Sequence, residues 1–427
     1  MRLAFLLLGL LLVAYTISIE RMFSIKEIPL KPLTEIKAKL SFSCAHEVFP
    51  SASAETDQLF QYARWLQKNN LLKQETAVDA EVERLYRIAT ENGHFKANVN
   101  LQNGSLRGKF NLNGDEHLRL SQNLIDAGVA SGYYFIGTFL KNGSSGLKQE
   151  PEMALRYFRK AADRGSAVAQ AYVAEMLAPN DVAPNVARQM RRCAAEQGHG
   201  RAAVMLSLYL QDEESYHEAM AVLQMGVMAG DESAAGRLEK AFRAPPPSDG
   251  LYYLGQPEDL VRAERYEKIW RILARYSYAD PKVPEINDIL PLPPAKLPPW
   301  DGKLQWLESR LANIPPPKPS EALITELAKA KLLDPATGLG LPGSPAFSQS
   351  HLSAPNSYSG QTCPVSGYWK VAFLPWGHSL RDNNGTRHFQ QGDMFPTVWV
   401  ERYQFRTWPF PDKVTRFESA VRWCLLS

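Results

Sequence analysis

Apolar and polar positions along this chain follow two different periods, and the change of period divides it. From about Glu55 to Arg243 apolar residues recur at helical spacing, i, i+4 and i+7 or i+8. A longer period lies on top of the short one. Gly93, Gly128, Gly165, Gly198 and Gly230 are separated by 35, 37, 33 and 32 residues. Four residues after each glycine stands a small residue (Ala97, Gly132, Ala169, Ala202, Ala234), and eight after each an aliphatic one (Leu101, Ile136, Val173, Leu206, Leu238). Eleven residues before the last three glycines are Ala154, Ala187 and Ala219, and four before them Ala161, Ala194 and Gly226. Such a register predicts a repeated helical hairpin. The glycine ends helix B in a left-handed conformation that costs other residues more. The small residues let the next helix A approach closely. One hairpin cannot bury its own apolar face, so the copies stack into a solenoid.

Ala244-Pro-Pro-Pro247 stops the array, and residues 257–278 read as one further helix. Leu290 to Gly302 is too rich in proline for helix and predicts extended backbone. It is either a linker or, the reading preferred here, a strap over the end of the solenoid that buries Trp300 and Trp306. Helices follow around 304–311 and 320–332, then a Gly/Ser/Pro-rich stretch that reads as a mobile linker. Beyond it Tyr368–Phe373 and Thr397–Tyr403 alternate as strands, Asn383-Asn384-Gly385 signals a hairpin, and Phe417–Leu426 reads as strand. The expected fold is mainly α: an α-solenoid, a Pro-rich helical extension and a small antiparallel β module. Its expected divisions are a signal segment (1–22), helical repeats (50–243), the extension (244–335), a flexible linker (336–361) and the β module (362–427).

The N-terminus adds an address. Met1-Arg2 precedes an uncharged, almost wholly apolar run from Leu3 to Ile19. This reads as an export signal, an uncleaved inner-membrane anchor in preference to a cleaved peptide, because no small-x-small cleavage site follows. Either form exports residues 22–427 from the cytoplasm. A formal net charge of +3 gives no reason to expect nucleic acid. Cys44, Cys193, Cys363 and Cys424 lack zinc-ligand spacing. Cys363 and Cys424 bracket the β module and are expected to pair, against the alternative of two separate buried thiols. Cys193 falls on a helix B and reads as packing. Eight histidines form no HxxxH or HExxH, and no nucleophile elbow or phosphate loop occurs, so neither cofactor nor metal is expected. His378 and His388 flank the predicted hairpin; an enzyme there would need them to converge with a carboxylate such as Asp382. Sequons at Asn103, Asn142 and Asn384 read as turns.

Tyr134-Phe-Ile-Gly137, Lys141-Asn-Gly-Ser-Ser-Gly146 and Ala154-Leu-Arg-Tyr-Phe-Arg-Lys-Ala-Ala-Asp-Arg-Gly165 resemble the Sel-1-like repeat, a relative of the tetratricopeptide repeat. Later copies depart from it, with Cys193 and Met225 replacing the lysine. The resemblance implies a solenoid that binds other proteins. Cys363-Pro-Val-Ser-Gly-Tyr-Trp369, Arg387–Pro396 and Trp423 are similar to C-terminal modules of type VI secretion immunity proteins. Pro291–Gly302 resembles a segment of Sel-1-like immunity proteins against secreted phospholipases, including the phospholipase D class. What this resemblance implies is a non-enzymatic immunity protein that blocks a co-encoded lipase toxin in the periplasm. Tyr133, Tyr134, Thr138, Gln170, Glu175 and Ser207, on the helix A face, are the expected partner contacts. The alternative is an envelope scaffold that assembles endogenous proteins.

Overall fold

The computed structural model describes residues 41–427 apart from 178–182, 348–356 and, near the C-terminus, 365, 372–373, 375–377, 381–384, 405–412 and 426–427. The apolar run expected to reach the membrane lies outside them. Among the described residues no helix is long and apolar enough to cross a membrane.

Six helical hairpins stack in order. They are α1 (Ala54–Asn70) with α2 (Thr76–Glu91), α3 (Phe95–Leu106) with α4 (Gly114–Asp126), and α5 (Ser131–Asn142) with α6 (Pro151–Asp163). Then come α7 (Ala167–Leu177) with α8 (Pro184–Glu196), α9 (Gly200–Asp212) with α10 (Tyr216–Met228), and α11 (Glu232–Ala241) with α12 (Leu260–Arg275). The five registered glycines follow the B helices with φ between +77° and +106°. Close approach explains the small residues: a Cβ on Gly132 would lie 2.6 Å from the Ser121 carbonyl oxygen. The last hairpin corrects the expected boundary, because α12 is not part of a separate extension. It packs as helix B of α11, with Tyr266, Ile269 and Leu273 buried among Leu223, Leu238 and Phe242. A second correction concerns Asn103, which lies inside α3 rather than in a turn. The next residue, Gly104, makes room for the Phe110 ring, only 2.0 Å from where a Cβ would sit.

Beyond α12 the chain turns back over the array. Residues 281–304, with the short helix α13 (Ile286–Ile289), cover the sixth hairpin through buried Val283, Ile286, Leu290 and Leu304. Arg265 holds the proline strap by donating to the carbonyls of Ile289 (2.9 Å) and Pro298 (2.7 Å). Helix α14 (Gln305–Ala312) then leads to the first hairpin. There Asn313 Oδ1 accepts from Trp65 Nε1 and Asn69 Nδ2, both at 3.0 Å. Helix α15 (Glu321–Ala330) and residues up to 347 finish the return, with Ile324, Ala328, Leu333 and Ala346 buried beside Leu59, Leu85 and Ile88. The flexible linker expected from 336 is therefore corrected over 336–347, which is packed and hydrogen-bonded. Segment 281–347 joins the two ends of the solenoid.

The C-terminal module holds β1 (Ser357–Tyr358), β2 (Gly367–Val371), β3 (His378–Leu380), β4 (Thr386–Phe389), β5 (Val398–Gln404), β6 (Lys413–Ser419) and β7 (Arg422–Leu425). All described pairings are antiparallel, in two sheets ordered β1-β7-β2-β4 and β3-β5-β6. Asn383 and Asn384 of the expected hairpin lie outside the described residues; the strands on either side, β3 and β4, belong to different sheets. Trp369, Phe389, Phe395 and Trp423 fill the core between them with Val398 and Val400. Cys363 is buried in that core, whereas the side chain of Cys424 lies outside the described residues.

Candidate partner-binding surface

The ledge along the inter-hairpin turns is built by one device used repeatedly. After the left-handed glycine, the next residue caps the following helix A. His94 Nδ1 accepts from Ala97 N–H (3.1 Å), His199 Nδ1 from Ala202 N–H (3.2 Å) and Asp231 Oδ1 from Ala234 N–H (3.0 Å). Both capping histidines are held below the ordinary imidazole pKa, chiefly by burial. They are therefore neutral acceptors with a structural task.

An extended segment ahead of α1, residues 43–52, lies along this ledge. The Ala45 carbonyl accepts from Gln170 Nε2 at 2.9 Å, and Glu47 N–H donates to Gln197 Oε1 at 2.9 Å. Ser131 donates its N–H (2.5 Å) and hydroxyl (3.0 Å) to the Glu47 carboxylate. Burial nevertheless pushes that carboxyl above its ordinary pKa, against the lowering effect of the Ser131 bonds. Gly165 lets the segment pass: a Cβ there would lie 2.4 Å from the His46 carbonyl carbon. At its far end Cys44 is disulfide-bonded to Cys193 on α8, across 149 residues of sequence. Cys193 is thus a cross-link, not the packing residue expected. The pairing is invisible to local pattern, because Cys44 lies outside the repeats.

The six expected contact residues divide. Gln170 and Ser207 have no exposed surface, the one bonded to Ala45 and Ala162, the other to the Val204 carbonyl. Neither offers a partner anything in this conformation. Tyr133, Tyr134, Thr138 and Glu175 are partly exposed. Lys160 Nζ sits 4.6 Å from the centre of the Tyr133 ring, and Lys141 Nζ 4.8 Å from that of Tyr172. Tyr134 packs against Phe158 (5.5 Å between centroids), and burial raises its phenol above the ordinary pKa. Glu175 pairs with Arg201 at 3.4 Å. Exposed Leu155 on α6 and Val168 and Met176 on α7 extend the region. Lys141, Lys160 and Tyr172 were missed as surface groups, although Lys160 stands in the repeat signature.

The residues of the tail motif are core, not surface. Trp369 and Trp423 are fully buried, and the Phe395 ring lies 4.8 Å from Trp369 and 5.7 Å from Trp423. Gly392 N–H donates to the Cys363 carbonyl (2.8 Å), tying the turn before Pro396 to the opening of the module. His378 and His388 stand on strands of separate sheets, and Asp382 lies outside the described residues.

This is a helical-repeat protein: an α-solenoid closed by its own C-terminal extension and followed by an antiparallel β module. A family model described as a domain of unknown function (DUF6396) matches residues 234–341, the stretch that runs from the sixth hairpin back to the first. No curated protein sequence matches the chain. Two solved Pseudomonas aeruginosa structures have similar folds: immunity protein Pa5087 (27% identity, TM-score 0.46, 60% of this chain and 95% of that one) and immunity protein PA5088 (23%, 0.47, 59% and 94%). A Sel1 repeat protein from Oxalobacter formigenes is similar at 19% identity and TM-score 0.35, over 50% of this chain and 94% of its own.

Proposed function

We propose that this chain is an immunity protein of the periplasm, held at the inner membrane by its N-terminal apolar run, that binds and blocks a co-encoded secreted lipase toxin of the phospholipase class. The observation that carries the reading is the closed repeat array. Its α5–α7 region presents Tyr133, Tyr134 and Tyr172 with lysines over two of the rings, beside exposed Leu155, Val168 and Met176. Aromatic anchors next to apolar surface suit a protein hot spot. The Cys44–Cys193 bond supports an oxidising compartment. The resemblance of Pro291–Gly302 and of the tail to immunity proteins supplies the toxin class. In this reading blockade is steric: the array covers the lipid-binding cleft, and slow dissociation makes protection durable.

The test is co-expression with the toxin encoded beside it, directed to the periplasm. Cells are expected to survive with the full protein and to die when Leu3–Ile19 is replaced by a cytoplasmic start. Tyr133→Ala combined with Tyr134→Ala is expected to weaken the complex by at least about 2 kcal/mol, roughly 30-fold in Kd by titration calorimetry. Survival without the protein, or no complex on size-exclusion chromatography, would favour the scaffold alternative.

A further inference from the structure

Where the ledge segment ends on α8, four metal-binding side chains converge. Cys44 and His46 are two apart on extended backbone, which puts them on one side. Cys193 and Glu196 are three apart on a helix, which puts them on one face. One ligand atom from each lies within 4.8 Å of the other three. His46 Nε2 is 3.7 Å from Glu196 Oε2, and Cys44 Sγ is 3.8 Å from the same oxygen. Two sulfurs, an imidazole and a carboxylate suit a tetrahedral Zn2+ site. The disulfide withholds two of these donors.

The arrangement does not rest on the disulfide alone. Ala45, between the two ledge donors, is held by Gln170, and Glu47 beyond them by Gln197 and Ser131. Cys44 and His46 therefore stay beside α8 when the S–S bond opens. Zinc–sulfur bonds of ~2.3 Å need the sulfurs ~3.8 Å apart, a small movement for exposed Cys44 on an extended segment.

We propose that in the dithiol form Cys44, His46, Cys193 and Glu196 bind one Zn2+. The junction is then closed by a disulfide under oxidising conditions and by zinc under reducing ones. A dithiol reductant supplies two electrons and two protons to the S–S bond and itself closes to a disulfide. Zn2+ then displaces the two thiol protons, which pass to solvent, while neutral His46 and the Glu196 carboxylate complete the four ligands. Either closure keeps residues 43–52 on the ledge. This inference is independent of the toxin reading.

The experiment uses the full chain in detergent, oxidised or reduced with a phosphine, loaded with zinc and desalted. Elemental analysis is expected to find one Zn2+ per reduced chain and none per oxidised chain. Co2+ in its place is expected to show sulfur-to-cobalt charge-transfer absorption. His46→Ala and Glu196→Gln, both at exposed positions, should lose zinc to a competing chelator while still forming the disulfide; Cys44→Ser should lose both closures. Zinc in the reduced protein no higher than in Cys44→Ser, equal zinc in the oxidised protein, or cobalt without the sulfur band would overturn the proposal. So would a reduced His46→Ala, Glu196→Gln double variant that keeps zinc as the parent does.

Discussion

The two ends of the solenoid use one hairpin template and each has an apolar core, but they bury their polar groups differently. At the far end, α9–α12 and the strap enclose a large apolar cluster around Leu223, Leu238, Phe242 and Ile269. Its buried polar groups are paired one to one: Tyr266 stacks on Phe242 at 5.7 Å with its hydroxyl on Gln224 at 2.6 Å, and Arg237 donates to Gln211 at 2.5 Å. At the near end, α2–α4 bury a polar network. Arg87 pairs with Glu116 and Glu83, and Gln102 Oε1 meets both His117 Nδ1 (3.2 Å) and Ser121 Oγ (3.1 Å). Between the ends, α7 and α8 bury mostly alanine (Ala169, Ala171, Ala174, Ala187, Ala194 and Ala195), with Val173, Met190 and Cys193 among them. That thin middle is where the ledge segment and the disulfide lie. Burial scales with apolar area, so small side chains that permit close helix packing also leave little to hold the stack. A cross-link and a ladder of amide bonds supply the difference.

Because a repeat array can open piecewise, hydrogen exchange resolved by helix is the measurement that separates these regions. The largest effect is expected from Phe242→Ala, which should cost about 3–5 kcal/mol. Protection should fall in α9–α12 far more than in α1–α4; equal loss at both ends would dissolve the comparison. Next comes Cys44→Ser, which releases a closed loop of 149 residues. Loss of the bridge should cost about 2–4 kcal/mol, the usual range for a native disulfide. The loss should centre on α7 and α8, and a global loss would mean that the middle is not the weak link.

The polar end should also respond to pH. Burial depresses the His117 pKa to about 4 from 6.5, outweighing the opposing influence of Glu116. Between those values the unfolded chain binds more protons than the folded one, so the His117 contribution is full above 6.5 and lost as pH falls toward 4. From pH 7 to pH 5 the loss should be about 2 kcal/mol, seen in α3 and α4 and not in α11 and α12. His117→Gln should remove this part of the pH dependence and leave the smaller part set by His94, which caps α3. The smallest effect is expected from Arg192→Ala, which removes a half-exposed pair with Glu218 and should cost no more than about 0.5 kcal/mol. A larger loss would mean that surface charge, not the cross-link, braces the middle.

Much of the architecture was legible in the residues themselves. The left-handed turns at Gly93, Gly128, Gly165, Gly198 and Gly230 follow from spacing, because each needs only its neighbours to make a helix end there. The helical spacing of α12 was equally plain, yet its role as the partner of α11 was not, since periodicity says which face is apolar but not what covers it. Tyr133 and Tyr134 stay at the surface, whereas Gln170, of equally polar pattern, is consumed by the Ala45 carbonyl. Strands β2 and β5 were visible by alternation; the break that divides Phe417–Leu426 between β6 and β7, and the division between two sheets, were not.

The sequence by itself determined the repeat unit, its period, the helix ends and the change to strands beyond residue 361. These depend on contacts within a few residues, which leave a periodic trace. Only the tertiary structure decided that 281–347 closes the array, that residues 43–52 occupy the ledge, and that Cys44 meets Cys193 beside His46 and Glu196. Those contacts join residues far apart in sequence, 84 positions for Glu47 and Ser131 and 149 for the two cysteines. They are set by where each stacked hairpin comes to rest, and that geometry leaves no period in the chain.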